Sequence, residues 1–256
     1  MIHPTALIDP AAEFADDCQV GPFSICEGGA RIARGCRIGA AAQLVGAVHL
    51  GAGTTVGRAA VIGTDPQDVS FDPATPSGVR IGERNTIREH ATIHRSIRPG
   101  EFTTLGSDNF LMVGCHLGHD VVLGDHNGFA NACLLAGFVT VGDRAFLGGG
   151  AVFHQFVRVG DGVMVQGNAS LSRDVPPFCV VSGLNGLKGL NVVGLRRAGF
   201  SADERAELKR LYVLLFGSGR NLGQAVTEAS RHPWSPRSRP LLDFVAAPSR
   251  KGVCLA

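Results

Sequence analysis

The chain has 256 residues, 45% of them hydrophobic, which is enough for a sizeable core and argues against intrinsic disorder. The net charge of +2 is uneven: residues 1–175 hold 12 basic and 17 acidic side chains, whereas residues 176–256 hold 12 and 5. No apolar run is long enough to span a membrane, and the N-terminus lacks a signal-peptide pattern, so we expect a cytoplasmic protein without stable membrane insertion. The basic second part suits an acidic partner, and a solvated helical surface explains it equally well.

A regular repeat runs through the first two thirds of the chain. An aliphatic residue followed by Gly recurs at a spacing of 18, in Val20-Gly21, Ile38-Gly39, Val56-Gly57, Leu123-Gly124, Val141-Gly142 and Val159-Gly160. Between the two groups, Ile81-Gly82 and Leu105-Gly106 follow at steps of 25 and 24, which predicts insertions of seven and six residues at about 64–78 and 94–101. Insertions in a repeat fold are surface loops, where function concentrates.

The repeat divides into three units of six. Large apolar residues recur every six positions, at Leu105, Leu111, Leu117, Leu123, Phe129, Leu135, Val141, Leu147, Phe153, Val159, Val165 and Leu171. Each unit predicts a short strand and a turn, and three units make one triangular coil that stacks in parallel on the next. We therefore expect residues 1–185 to form a mainly β domain, a parallel β-helix of hexapeptide repeats. The pairs Cys18/Cys36 and Cys115/Cys133 are also one repeat apart, which favours apolar stacking over disulfides.

The pattern changes after the Pro pair at 176–177. Leu208, Leu211, Tyr212 and Leu215 share one helical face, and Gly217 is a stop signal. Helix-start signals are Ser201 with Glu204, Asn221 with Gln224, and Ser238 with Pro240. We therefore expect residues 186–256 to form a helical domain that caps the open end of the solenoid.

One polar group stands out, where His116 is followed by His119 and Asp120. Histidine acts as a base near neutral pH, and an adjacent carboxylate stabilises the imidazolium that forms. His119 is therefore a candidate base for a sugar hydroxyl, while a pair of solvent-facing turn histidines is the plainer interpretation. His116, His119 and His154 match the ligand number of a catalytic zinc, but the spacing does not require one, and we predict no metal.

Gly137 lies one full repeat after His119, so it should occupy the same corner one coil further on. A glycine there can offer its backbone N–H to an oxyanion. An ordinary turn glycine is the alternative interpretation.

Several segments together resemble one known family, in the same order along residues 2–201. They are IHPTALIDP, IGTDPQD, IRE followed by TIHR, GSDNFLM, HLGHD, FAN, AVFHQF, RDVPPF and LNVVGLRRAGFS. This set resembles the bacterial UDP-N-acetylglucosamine O-acyltransferases of lipid A biosynthesis. The resemblance implies left-handed coils, a homotrimer with active sites between neighbouring solenoids, and transfer of an (R)-3-hydroxyacyl group from acyl carrier protein to the 3-OH of UDP-N-acetylglucosamine. It implies no cofactor, and we expect no nucleic-acid partner.

The resemblance also assigns roles to residues. His119 matches the general base, Asp120 its partner and Gly137 the oxyanion donor. Positions that match substrate contacts are Gln67, Asp68, His116, His154 and Gln155, and those that match the surroundings of the nucleotide are Asn191 and Arg197. Gly167 matches the position that limits acyl-chain length, where a missing side chain would admit a longer chain.

Four positions depart from the family pattern. Phe138 stands where a second His is common, Ser70 replaces a Lys, and Val193 and Ala198 replace a Glu and an Arg. These changes remove polar contacts to the acceptor or donor. They leave open a related nucleotide-sugar acyltransferase, either N-acylating a 3-amino sugar or using acyl-CoA, and a catalytically weakened paralogue that binds ligand.

Overall fold

The computed structural model describes residues 1–255, which form short strands followed by four helices. The first nine strands are β1 (Leu7–Ile8), β2 (Glu13–Phe14), β3 (Gln19–Val20), β4 (Ile25–Cys26), β5 (Arg31–Ile32), β6 (Arg37–Ile38), β7 (Gln43–Leu44), β8 (Ala47–Leu50) and β9 (Thr55–Val56). The next nine are β10 (Val61–Thr64), β11 (Gly78–Ile81), β12 (Thr86–Ile87), β13 (Thr92–His94), β14 (Phe102–Leu105), β15 (Phe110–Leu111), β16 (His116–Leu117), β17 (Val122–Leu123) and β18 (Gly128–Phe129). The last nine are β19 (Leu134–Leu135), β20 (Thr140–Val141), β21 (Phe146–Leu147), β22 (Val152–Phe153), β23 (Arg158–Val159), β24 (Met164–Val165), β25 (Ser170–Leu171), β26 (Cys179–Ser182) and β27 (Gly186–Leu190).

Three sheets form the walls of a prism, because every third strand pairs with its predecessor. Sheet 1 runs β1-β4-β7-β10-β13-β16-β19-β22-β25, sheet 2 runs β2-β5-β8-β11-β14-β17-β20-β23, and sheet 3 runs from β3 to β26 and ends on β27. All pairings are parallel except that of β26 with β27. The chain therefore passes from sheet 1 to sheet 2 to sheet 3 in each coil, and we call the turns between them corners 1–2, 2–3 and 3–1.

The predicted spacing of apolar residues is confirmed. The second residue of each two-residue strand points into the prism, and the positions from Leu105 to Leu171 that share this spacing are all buried. Burial of one such side chain contributes about 1.5–3 kcal/mol, so the stack of coils supplies its own core. The cysteines add to this apolar stack, since all seven are free and buried.

The glycine of the repeat is needed for close contact between coils. A Cβ on Gly39 would lie 2.8 Å from the backbone nitrogen of Arg58 in the next coil. Real side chains do not approach a neighbouring backbone so closely, so only glycine fits there. Many left-handed turn positions, by contrast, are held by larger residues, such as Ala41 and Phe138.

The predicted size of the first insertion is wrong. Val56 pairs with Ile87 on sheet 3, while Ile81 pairs with Leu50 on sheet 2. The step from Val56 to Ile81 therefore crosses between two sheets, and the true step of the repeat runs from Val56 to Ile87. The first insertion is thus nearly twice as long as predicted. The second insertion has the predicted length, because Ile81 pairs with Leu105. Both insertions leave the prism at corner 1–2.

The helices are α1 (Val192–Arg197), α2 (Ala202–Phe216), α3 (Leu222–Ala229) and α4 (Arg239–Ala246). The starts predicted for α2, α3 and α4 are confirmed, including the capping box of Ser201 and Glu204. Helix α1 was not predicted, because it is short and lacks a periodic apolar face. The division at residues 185 and 186 stays a prediction and coincides with the start of β27. Among the described helices, none is long and apolar enough to cross a membrane.

Candidate active site

Corner 1–2 collects most of the predicted site residues. Its turns carry His119, Gly137 and Gln155 in three successive coils, because neighbouring members of this series are one repeat apart. The first insertion brings Asp68 to the same corner. A single edge of the prism therefore holds the candidate base, the candidate oxyanion donor and a carboxylate.

His119 and Asp120 form a hydrogen-bonded pair. His119 Nδ1 lies 2.8 Å from Asp120 Oδ2, and the two side chains are 9% and 8% exposed. Asp120 has a left-handed backbone conformation, with φ of 58°, which turns its side chain back toward the imidazole. An ionised carboxylate only accepts, so Nδ1 carries the proton and Nε2 is left with a free lone pair.

Asp120 is held in place by further donors from the second insertion. Ser96 Oγ donates to Asp120 Oδ1 at 2.6 Å, and the Ile97 N–H donates to Oδ2 at 3.1 Å. Burial opposes ionisation, but the hydrogen bonds from His119, Ser96 and Ile97 together hold the pKa of Asp120 below its ordinary value. The sequence interpretation missed Ser96, although its separation from Asp120 along the chain equals one coil plus the second insertion.

Gly137 lies directly against the His119 imidazole. A Cβ at this position would be 2.5 Å from His119 Nε2 and 3.0 Å from Nδ1. The Gly137 carbonyl accepts from the Phe156 N–H, whereas the Gly137 N–H has no partner within residues 1–255. The backbone of Gly137, with its free N–H, therefore passes close to the His119 imidazole.

Phe138 and Phe156 occupy the turn position of Asp120 in the next two coils of corner 1–2. Their rings are stacked, with centroids 4.7 Å apart, and Phe138 meets His119 edge-on at 5.0 Å. Both residues have positive φ, like many other turn residues of this repeat. Phe138 therefore borders the base with an apolar edge.

The first insertion places Asp68 near His119. Ser70 donates to Asp68 Oδ1 from its hydroxyl at 2.7 Å and from its backbone N–H at 2.9 Å. These hydrogen bonds lower the pKa of Asp68, and a protonated His119 is close enough to lower it further. Ser70 thus holds one carboxylate oxygen and leaves the other free, while Gln67 is exposed on the same loop.

His116 lies beneath this corner and pairs with His94. The two rings meet edge to face at 5.0 Å, and His116 Nδ1 lies 2.7 Å from Thr92 Oγ1. Burial lowers the pKa of His116, and burial together with His116 and His119 lowers that of His94 to about 4. Both rings are neutral at neutral pH. The zinc alternative with His116, His119 and His154 is not supported, because no three potential ligands converge in the described part of the chain.

The remaining predicted residues lie on other edges of the prism. Gly167 belongs to corner 3–1, where a Cβ would be 3.2 Å from the Gly149 carbonyl oxygen. Asn191 caps α1 through the Gly194 N–H and donates to the Gly162 carbonyl at corner 2–3. Arg197 lies in the last turn of α1. One chain therefore does not bring these three residues to His119.

Known proteins of one family are similar to this chain over most of its length. Residues 174–254 match the family described as "Udp N-acetylglucosamine O-acyltransferase; Domain 2". Acyl-[acyl-carrier-protein]–UDP-N-acetylglucosamine O-acyltransferases of Cupriavidus metallidurans and Cupriavidus necator are 58% and 53% identical; the alignments cover 89% and 97% of this chain and 87% and 97% of the relatives.

Among solved structures, the UDP-N-acetylglucosamine acyltransferase of Campylobacter jejuni is 34% identical and superposes with a TM-score of 0.93 over 100% of both chains. This match confirms the predicted left-handed parallel β-helix with its C-terminal helices. The identity over nearly the whole length shows that the chain belongs to the UDP-N-acetylglucosamine O-acyltransferase family.

Proposed function

We propose that this protein transfers an acyl group from acyl carrier protein to the 3-hydroxyl of UDP-N-acetylglucosamine. The observation that carries the proposal is the contact of His119 with both Asp120 and Gly137 at corner 1–2. Family membership supplies the substrate class, and the geometry supplies a base and an oxyanion donor in contact. The (R)-3-hydroxyacyl group and the first step of lipid A biosynthesis, which the sequence resemblance implies, are part of the proposal.

In this mechanism His119 is the general base. Its Nε2 takes the proton of the 3-hydroxyl as the oxygen attacks the thioester carbonyl. The ionised Asp120 stabilises the imidazolium, because its carboxylate already accepts the Nδ1 proton at 2.8 Å. Asp120 keeps its charge at neutral pH, since its pKa is below the ordinary value.

Gly137 serves the tetrahedral intermediate. Attack on the carbonyl carbon converts the carbonyl oxygen into an oxyanion, which the free N–H of Gly137 can stabilise. Collapse re-forms the carbonyl and breaks the carbon–sulfur bond, and the departing thiolate recovers its proton from the His119 imidazolium. A thioester is already activated, so base, oxyanion donor and positioning account for the reaction.

The acceptor hydroxyl is positioned by polar groups around the base. Asp68 has one carboxylate oxygen free of Ser70 and lies near His119, so it can accept from a sugar hydroxyl. Gln67, His116, His154 and Gln155 are proposed as further contacts. Gly167 is proposed to set the acyl-chain length through an open groove at corner 3–1.

We propose a homotrimer, because one chain separates the residues of the expected nucleotide site. Asn191 and Arg197 lie at corner 2–3 and on α1, away from His119 at corner 1–2. A neighbouring solenoid facing corner 1–2 with its own α1 would complete the site. The side chain of Asn191 already caps α1 and binds Gly162, so its part is to fix α1 in place beside the nucleotide. The cytoplasmic location stays a prediction.

The base assignment is tested by His119→Ala in a carrier-dependent acyl-transfer assay. We expect turnover to fall by about 100- to 10,000-fold, which is the usual contribution of general-base catalysis. The control is His126→Ala, which removes an exposed turn histidine from corner 2–3. Near-normal turnover by His119→Ala, or equal losses in both variants, would overturn the assignment.

A further inference from the structure

The C-terminal segment, residues 249–255, returns from α4 to the solenoid and is anchored there. The Asp174 N–H donates to the Gly252 carbonyl, and the Cys254 N–H donates to the Asp174 carbonyl, both at 2.8 Å. The Ser249 hydroxyl donates to Asp174 Oδ2 at 2.7 Å, and Arg158 Nε donates to the same oxygen at 2.7 Å. Asp174 is 1% exposed, so this anchor is buried.

The anchor brings two cations to corner 1–2. Lys251 Nζ lies 3.0 Å from His154 Nδ1, and the guanidinium carbon of Arg250 lies 4.0 Å from the centroid of the Phe156 ring. An ammonium group only donates, so Nδ1 of a neutral His154 accepts and Nε2 carries the proton. Lys251 is therefore in direct contact with a residue that is proposed to touch the substrate.

A third cation flanks the same aromatic pair. The guanidinium of Arg98, from the second insertion, lies 4.9 Å from the Phe138 centroid. Phe138 stacks on Phe156 and meets His119 edge-on, so the two phenyl rings lie between Arg98 and Arg250 beside the base. A guanidinium held on a ring face keeps its N–H groups free at the rim.

These three cations lack carboxylate partners. Two other arginines show the contrast: Arg95 is paired with Asp65, and Arg158 is paired with Asp174. For Arg98, Arg250 and Lys251, no ion pair with a carboxylate occurs between residues 1 and 255. Unpaired cations around an active-site corner favour an anionic ligand, and guanidinium groups match phosphate oxygens in geometry.

We propose that Arg250 and Lys251, carried to corner 1–2 by the C-terminal segment, bind a phosphate group of a substrate. The inference rests on the proposed function, since both substrates carry phosphate. The nucleotide sugar has a diphosphate, and the acyl-bearing arm of a carrier protein is attached through a phosphodiester. The C-terminal segment is thus part of the active site.

The test uses the full-length Arg250→Gln/Lys251→Met variant, which keeps Ser249 and the buried anchor. Its control, Lys188→Met/Arg220→Gln, removes the same charge from exposed positions of the C-terminal part. Calorimetry compares UDP with uridine, and kinetics compare acyl-phosphopantetheine with acyl-pantetheine as donors. A loss of charge-assisted hydrogen bonds should reduce the advantage of one phosphorylated ligand over its phosphate-free counterpart roughly tenfold or more.

The two comparisons show which substrate supplies the bound phosphate group. Loss of the preference for UDP over uridine assigns it to the nucleotide, and loss of the donor preference assigns it to the carrier arm. The proposal is overturned if both preferences survive in the variant, or if the control loses them equally. UDP and acyl-phosphopantetheine binding can both be followed by calorimetry, so a wild-type protein without acyl transfer would refute the proposed function while these binding measurements still decide the inference. If the double variant melts early, Lys251→Met alone is measured.

Discussion

Replacement of Gly137 by Ala tests the contact between glycine and base. The added Cβ would lie 2.5 Å from His119 Nε2. Atoms in ordinary contact are about 3.5 Å apart, so the imidazole must move by about 1 Å. Displacing a catalytic group this far costs about 100-fold in rate, or about 2.7 kcal/mol of transition-state stabilisation. The backbone N–H remains, so the loss reports on the base.

The fold should tolerate this change. Gly137 is not in the left-handed region, so the backbone accepts Ala there and the strain is confined to the displaced imidazole. The control is Gly28→Ala at corner 1–2 of an early coil, where the Cβ would lie 3.3 Å from Asp9 Oδ1. Initial rates and thermal melts are measured together. A folded Gly137→Ala protein with wild-type kcat/KM would refute the reasoning.

Three further predictions follow from the same corner and its surroundings. Since the pKa of His94 is about 4 in the fold against an ordinary 6.5, the unfolded chain binds more protons between these values. The free energy of unfolding should therefore fall by up to about 3 kcal/mol as pH drops through this window, and less in His94→Gln. Phe138→His adds a ring N–H beside His119 and should change the ratio of kcat/KM for 3-hydroxy and 3-amino acceptors by about fivefold. Gly167→Met should shift the preference to shorter acyl chains. The kcat/KM for a longer chain should fall by about tenfold for each methylene that no longer fits.

Each of these has a contrary outcome. Parallel curves of unfolding free energy against pH for wild type and His94→Gln would show that the pKa of His94 is the same in the folded and unfolded states. An unchanged acceptor ratio in Phe138→His would remove Phe138 from acceptor selection. The same chain-length profile in Gly167→Met would place the acyl groove elsewhere.

The repeat made much of the fold predictable. The spacing within each unit specifies which residues face inward, and the spacing between coils places His119 and Gly137 at one corner without knowledge of any distance. The length of the first insertion was misjudged because the aliphatic-Gly pattern occurs on two sheets, so Val56 and Ile81 matched the pattern without being equivalent. Pairing register, which the sequence pattern does not contain, was needed to separate them.

Contacts outside the repeat could not be predicted. Lys251 and His154 are far apart along the chain, and nothing periodic links the C-terminal segment to corner 1–2. Asn191 and Arg197 matched nucleotide positions by resemblance. Their place on another edge of the prism depends on where the last coil ends and α1 begins, which the repeat does not specify. Short helix α1 begins after Asn191, whose side chain both caps the helix and donates to the Gly162 carbonyl of the solenoid, and such a contact leaves no periodic signal in the sequence.

The central claim is that corner 1–2 catalyses ester formation on UDP-N-acetylglucosamine. Its most direct test is mass spectrometry of the products formed by wild-type protein from hydroxyacyl carrier protein, with UDP-N-acetylglucosamine and its 3-amino analogue offered together. We predict an O-acylated UDP-N-acetylglucosamine that is absent with His119→Ala. Amide formed from the 3-amino analogue alone, or ester formed equally by His119→Ala, would contradict the account.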